Sequence, residues 1–400
     1  MTGGTISSPP PAPQKTAIVH DWLTGMRGGE KVLEAICELY PDATLYTLVR
    51  VKGSVSPAIE ARRIVPSFAQ VLPAVGRRYR SYLPFFPAAV ECFDLDDYDL
   101  VISSSHCAVK SVISAGAVHV CYCHSPMRYA WDQFDAYFGR RQVGRMTSRV
   151  LRPIMAGLAR WDVATAGRVD RFVANSAYVA ARIRRYYNRR STVVYPPVDT
   201  TFYRPADQSA TDPSVLLVSA LVPYKRVDVA IEACRRIGVP LKIVGRGPEQ
   251  PRLEQLAIAS GGGTNGHVEF LGWRSDEEVR QLYQRASAVL LPGIEDFGMV
   301  PVEAQACGTP VVALGAGGAC ETVQHGVTGV LVDHESVEAF ANGIDECQRQ
   351  RFDREAIRAS AERFSRERFL RDFPGVVSEA TGVDGSSDQT SSRQTAGRPS

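Results

Sequence analysis

The stretch Glu295-Asp-Phe-Gly-Met-Val-Pro-Val-Glu303 decides the reading of this chain, because it sets two carboxylates around the expected start of a helix. Upstream, Ala288-Val-Leu-Leu-Pro292 is a short continuous apolar run, which predicts a buried parallel strand. Downstream, Met299 to Cys307 predicts a helix, with Pro301 tolerated in the first turn, where an amide proton has no intrahelical partner. Glu295 then falls on the strand-to-helix loop, and the amides around Phe297, Gly298, Met299 and Val300 face an anion or a sugar oxygen. Glu303, about one turn into the helix, is placed to accept hydrogen bonds from vicinal hydroxyls such as those of a ribose. An isolated Glu-x7-Glu is more often two solvated helix-end charges, so its weight comes from its surroundings.

Short apolar runs alternate with helical patterns on both sides of this stretch. Thr16–His20, Leu100–Ser104, Val118–Cys123, Arg171–Ala174 and Thr192–Tyr195 form one series, and Val215–Val218, Leu241–Val244, Val268–Leu271, Ala288–Leu291, Pro310–Ala313 and Val330–Val332 a second. Such alternation predicts parallel sheets covered by helices on both faces. The chain's 400 residues exceed what one core usually organises. The expected fold class is therefore α/β, with two doubly wound Rossmann-like domains at 16–198 and 199–381 facing an interdomain cleft, and polar tails at 1–15 and 382–400 expected to be disordered. A net charge of +3 gives no indication of a nucleic-acid partner. Nine cysteines without paired spacing suggest a reducing cytosol. No run of about 18 apolar residues is present, and Met1 to Gln14 has no apolar signal core.

Taken in order, Gly28-Gly29, His124-Ser-Pro-Met-Arg-Tyr-Ala-Trp-Asp132, Asn175-Ser176, Tyr195-Pro-Pro-Val-Asp199, Pro223-Tyr-Lys-Arg226, Glu295-x7-Glu303, Ala304-Gln-Ala-Cys-Gly-Thr-Pro310 and Gly326-Val-Thr-Gly-Val-Leu-Val332 resemble the retaining glycosyltransferases of family 4 over nearly the whole chain. The resemblance implies a GT-B fold that moves a hexose from a nucleoside diphosphate sugar to a saccharide or lipid-linked saccharide acceptor, without metal or other cofactor. It implies donor contacts near Glu295 and Glu303, and contact of His124 with the transferred sugar. His20-Asp-Trp22, Arg27-Gly-Gly-Glu30 and Tyr122 to Trp131 further resemble bacterial mannosyltransferases of polysaccharide assembly. Residue chemistry alone does not separate GDP from UDP, or mannose from glucose. A GT-B sugar-nucleotide epimerase, a phosphorylase and a non-catalytic saccharide-binding protein are the alternatives.

Individual motifs sharpen these expectations. Lys225 and Arg226 join a strand to a helix where a diphosphate can rest, and cations at a helix amino terminus are mildly unfavourable without such a partner. In the family an Arg often precedes this lysine, whereas Ser219-Ala220 stands here. Gly245 and Gly247 follow another strand and let the backbone approach a ligand, near the nucleoside base. Gly315 to Gly318 is a loop of small residues, equally readable as a ligand contact or a turn. Gly28 and Gly29 open a helix to an acceptor or a phosphate, with His20 and Asp21 at the carboxyl end of the preceding strand. Cys121, Cys123 and His124 lack a second ligand pair at zinc spacing, and Asp94 to Asp99 precedes a strand, at the end away from ligands. Three arginines among aromatics, Arg77 to Phe86, and the series Arg140, Arg141, Arg145, Arg149 and Arg152 suit either anionic lipid headgroups or a solvated helix face, and the resemblance to enzymes building lipid-linked saccharides implies the former, with peripheral contact at the inner face of the cytoplasmic membrane.

Overall fold

The computed structural model describes residues 14–131, 134, 138–139, 143–206, 212–259 and 268–382; segments 1–13 and 383–400 of the expected tails, and Arg140 and Arg141, lie outside them. The first sheet contains β1 (Thr16–Leu23), β2 (Thr44–Arg50), β3 (Ile64–Pro66), β4 (Leu100–Ser105), β5 (Val118–Cys123), β6 (Arg171–Ala174) and β7 (Ser191–Val193). Their order is β3-β2-β1-β4-β5-β6-β7. The second contains β8 (Val215–Val218), β9 (Leu241–Val244), β10 (Val268–Gly272), β11 (Ala288–Leu291), β12 (Val311–Leu314) and β13 (Gly329–Val332), ordered β10-β9-β8-β11-β12-β13. All pairings are parallel. The strand order reverses between β1 and β4 and again between β8 and β11, and open parallel sheets gather ligands beyond the carboxyl ends of strands at such points. Strands β2 and β3 have no counterpart in the sequence reading.

Each sheet buries aliphatic strand residues beneath helices, as a parallel sheet requires. In the first domain Ile18, Ile102, Val120 and Val173 pack with Leu33 and Ile36 of the helix Gly28–Leu39. The helix Arg366–Thr381, the last among the described residues, departs from the expected boundary. Its Phe369 and Phe373 are buried in this same first-domain cluster, edge-on to Tyr122. The chain therefore crosses back after residue 364, pinned where Arg366 N–H donates to Val198 carbonyl and the Arg366 guanidinium pairs with Glu38. Burying each phenylalanine contributes roughly 1.5–3 kcal/mol, so this helix also ties the two domains together.

Candidate active site

In the first domain, three strand ends converge. His20 on β1 is fully buried, with Nδ1 3.0 Å from Ser104 Oγ on β4. Ser104 Oγ lies 2.8 Å from Nε2 of His124, the residue after β5. Asp21 does not face an acceptor. Its fully buried carboxylate accepts four backbone N–H groups, from His106 (2.7 Å) and Cys107 (2.8 Å) at Oδ2 and from Ala108 (2.7 Å) and Val109 (3.1 Å) at Oδ1. Such saturation makes it an anchor for the loop after β4. His20 likewise sits behind the cleft wall, while Gly28, Gly29 and His124 line it. Gly28 meets the other domain: a Cβ there would lie 3.0 Å from Met299 Sδ.

The second domain presents the loop Glu295–Gly298 between β11 and the helix Met299–Ala306. Glu295 pairs with Lys225, from the loop after β8. Its neighbour Asp296 holds the other domain: Oδ2 accepts Arg128 Nε–H (2.8 Å), Oδ1 accepts Arg182 (2.8 Å), and the Asp296 carbonyl accepts Ser176 O–H (2.6 Å). Burial works against the Arg128 cation, but Asp296, Tyr224 and Glu295 outweigh it and raise its pKa above the ordinary arginine value. Gly317 and Gly318 support this loop from below. A Cβ on Gly317 would lie 2.4 Å from the Glu295 carbonyl, to which Gly318 N–H donates at 2.8 Å.

Four residues expected at the donor, Arg226, Gly245, Gly247 and Glu303, are placed differently. Arg226 adopts a left-handed backbone (φ +51°) and turns away from the cleft to pair with Asp228 and Glu335, so Lys225 alone of the two points inward. Gly245 and Gly247 do not line the cleft. Their glycines are demanded by two crossing loops, since a Cβ would lie 1.8 Å from Ser219 O and 2.2 Å from Leu221 O respectively. Glu303 is buried, with Oε1 3.2 Å from Lys31 Nζ of the first domain and Oε2 accepting Tyr283 O–H at 3.2 Å. Phe297, Gly298, Met299 and Val300 do line the cleft, where the first amides of their helix have no intrahelical partner.

Between the two switch points lies a cavity of about 390 Å³. Arg27, Arg80, Arg128 and Lys225 bring positive charge to its wall, and His106, Asn175 and Tyr224 also face it. Of these only Lys225 is expected in the cleft from sequence; Arg80, expected with Arg77 and Arg78 at anionic lipid headgroups, lines the cavity instead. Arg128 was signalled by its place in the motif that begins at His124, and Asn175 by its own motif; its Nδ2–H donates to the His124 carbonyl at 3.0 Å. Among the described residues no group of three or more His, Cys, Asp or Glu is arranged to hold a metal ion. Asp97 and Asp99 instead engage Lys15 at the amino end of β4.

Residues 27–202 match the family model Glycosyltransferase Family 4, and residues 199–364 match Glycosyl transferases group 1. A D-inositol 3-phosphate glycosyltransferase of Mycobacterium sp. (strain JLS) is 36% identical over 193 residues, 44% of this chain and 44% of that protein. One of the same name from Rhodococcus erythropolis is 34% identical over 199 residues, 44% and 45% of the two chains. The matched segment thus spans less than half the length of these relatives. Anabaena Alr3699/HepE, solved in complex with UDP-glucose, superposes with a TM-score of 0.70 at 24% identity, over 91% of this chain and 99% of that one. The lipopolysaccharide outer core galactosyltransferase WaaB gives 0.63 at 17% identity, over 91% and 99%. The chain has the GT-B fold, its amino-terminal half matching Glycosyltransferase Family 4 and its carboxy-terminal half Glycosyl transferases group 1.

Proposed function

We propose that this protein is a retaining glycosyltransferase that moves a hexose from a nucleoside diphosphate sugar to a saccharide or lipid-linked saccharide. The Lys225–Glu295 pair at the mouth of the second domain's switch point, facing His124 across the cleft, carries this reading. Lys225 stabilises the departing diphosphate, and the amides beginning the Met299 helix add to that field. Glu295 holds sugar hydroxyls, and Glu303 the ribose. Attack comes from the face the nucleotide leaves, with the leaving phosphate taking the acceptor proton. The chain's contribution is positioning, charge stabilisation and exclusion of water.

GDP-mannose is the first donor proposed, on the strength of the motifs His20 to Trp22, Arg27 to Glu30 and Tyr122 to Trp131. A UDP-sugar is the second, favoured by the UDP-glucose complex of the Anabaena neighbour. Incubation with a panel of nucleotide sugars, following nucleotide release with and without lipid-linked acceptors, tests both; no release with any donor ends the reading. A role in cell-surface polysaccharide assembly at the inner face of the cytoplasmic membrane belongs to the same proposal. It is supported by exposed Val71, Phe85, Met146 and Val150 on segments that also carry Arg77, Arg78, Arg145 and Arg149. Among the described residues no helix is long and apolar enough to cross a membrane. Sedimentation with anionic vesicles, absent with neutral ones, is the expected result.

A further inference from the structure

Behind His124 runs a line of buried polar groups. His124 Nε2 lies 2.8 Å from Ser104 Oγ, which lies 3.0 Å from His20 Nδ1, and His20 Nε2 is 3.8 Å from Glu30 Oε1. The last spacing is too long for a hydrogen bond but within ion-pair range, and among the described residues no hydrogen-bond partner reaches His20 Nε2. Ser104 and His20 are fully buried and Glu30 is 3% exposed. The second carboxylate oxygen of Glu30 accepts the Arg27 N–H at 3.0 Å.

Proton bookkeeping gives this line a direction. A neutral imidazole carries one N–H, a hydroxyl one proton, and an ionised carboxylate none. The Glu30 charge favours a proton on His20 Nε2 and disfavours a buried lone pair there. His20 Nδ1 is then an acceptor and takes the Ser104 O–H. With its proton committed, the Ser104 oxygen accepts from His124 Nε2–H. That leaves His124 Nδ1 as a lone pair on a ring that lines the cleft. For a fully buried His20 ring carrying one proton, the opposite polarity would set its lone pair against the carboxylate. Burial raises the Glu30 pKa, but the His20 contact and the Arg27 charge outweigh it and lower it overall, so an ionised carboxylate faces His20 Nε2. Burial, its largest cause, holds His124 well below the ordinary histidine range, so the ring is neutral.

We propose that Glu30, His20 and Ser104 are positioning residues that fix the Nε2–H tautomer of His124, so that Nδ1 accepts a hydrogen bond from a saccharide hydroxyl in the cleft. The saccharide half rests on the proposed function; the tautomer half does not. A hydroxyl can donate to this lone pair, whereas a group that only accepts is repelled.

The test is a long-range ¹H–¹⁵N correlation spectrum of the full chain with ¹⁵N-labelled histidines, His124 being assigned by comparison with His124→Gln. The expected result is a protonated Nε2 and unprotonated Nδ1 at His124. Ser104→Ala should mix the tautomers, and Ser104→Thr should restore the single form. A protonated Nδ1 in the unaltered protein, or a tautomer unmoved by Ser104→Ala, overturns the proposal. In the transfer assay Ser104→Ala should lower kcat/KM by about 10-fold, the scale of one weakened hydrogen bond. Ser104→Thr should recover it, and nucleoside diphosphate affinity should not change in either variant. An expected spectrum with no transfer from any nucleotide sugar sinks the functional reading and the saccharide half with it, while the tautomer assignment is decided by the spectrum alone.

Discussion

Lys31 Nζ, on the leading helix of the first domain, lies 3.2 Å from Glu303 Oε1 in the second. Tyr283 occupies the other Glu303 oxygen, so a ribose seeking this carboxylate competes with a side chain from across the cleft. Burial opposes the Lys31 charge, but Glu303, Tyr203 and Asp276 outweigh it and raise its pKa above the ordinary lysine value. A raised lysine pKa means the contact is fully present below the unfolded value and is lost only as pH rises through the folded one. Lys31→Met should therefore strengthen nucleoside diphosphate binding by about 5-fold, by removing the contact that competes for Glu303. The gain should be constant from about pH 6 to pH 9. Titration calorimetry reads this, and weaker binding in the variant would show that Lys31 helps the nucleotide instead.

Glu295 and Glu303 should separate in their effects. Hydrogen bonds to a charged group contribute roughly 1.5–3 kcal/mol, so Glu295→Gln should lower transfer by about 10- to 150-fold. Bare nucleoside diphosphate should still bind, since Lys225 is released from its pair rather than removed. Glu303→Gln should weaken nucleotide and nucleotide sugar alike. Equal weakening of bare nucleotide by the two variants would refute the division, and full activity in both would count against the site.

Lys225 and Arg226 are adjacent, yet only the first should matter to the diphosphate. Lys225→Ala should abolish measurable transfer and weaken nucleotide binding at least about 10-fold, the scale of one charge-assisted contact. Arg226→Ala should leave nucleotide affinity within about 2-fold, because its guanidinium is engaged by Asp228 and Glu335 outside the cleft. Comparable losses in both variants would mean that Arg226 swings inward when the ligand binds.

Strands were legible where the apolar run is continuous, as in Ala288–Leu291, and obscure where it is not. Thr44-Leu-Tyr-Thr-Leu-Val-Arg50 mixes polar and apolar residues, yet six of its seven are buried because β1 and β3 flank it and helices cover it. Site residues followed the same division. That His124 and Glu295 stand at strand ends on the ligand side is a local property of sequence. Asp21 shares that placement, but its partners lie 85 to 88 residues ahead and turn its carboxylate inward. The Arg128–Asp296 and Lys31–Glu303 contacts join residues 168 and 272 positions apart, and only the folded domains bring them together.

Two glycines read alike in sequence should respond differently to a methyl group. Gly247→Ala drives Cβ to 2.2 Å from the Leu221 carbonyl, where backbone cannot yield cheaply. A loss of about 1–3 kcal/mol is expected, seen as an earlier denaturation midpoint. At Gly29 a Cβ meets only the His124 and His20 rings, at 3.9 Å, an ordinary contact. Gly29→Ala should keep stability within about 0.5 kcal/mol while lowering acceptor use, because it narrows the cleft wall. An equally destabilised Gly29→Ala would assign that glycine a purely structural role.

His119 supplies an acid limb to stability. It is fully buried on β5, with Nδ1 3.1 Å from the Arg168 carbonyl and Nε2 2.8 Å from Ser103 Oγ. The carbonyl can only accept, so Nδ1 carries the proton and Nε2 accepts from the serine. Burial pushes its pKa down to about 4, against the opposing influence of the Arg168 carbonyl and Asp170. A depressed histidine pKa means that the unfolded chain binds a proton first, so this stability is present above the unfolded value and erodes as pH falls toward the folded one. The loss should reach roughly 3 kcal/mol between about pH 6.5 and pH 4. His119→Asn costs stability at every pH but has no proton to bind, so the gap between the two proteins should close by that amount across this window. Denaturation midpoints measured from pH 8 to pH 4 check it; a gap that stays constant would mean that His119 titrates in the fold as it does in the unfolded chain.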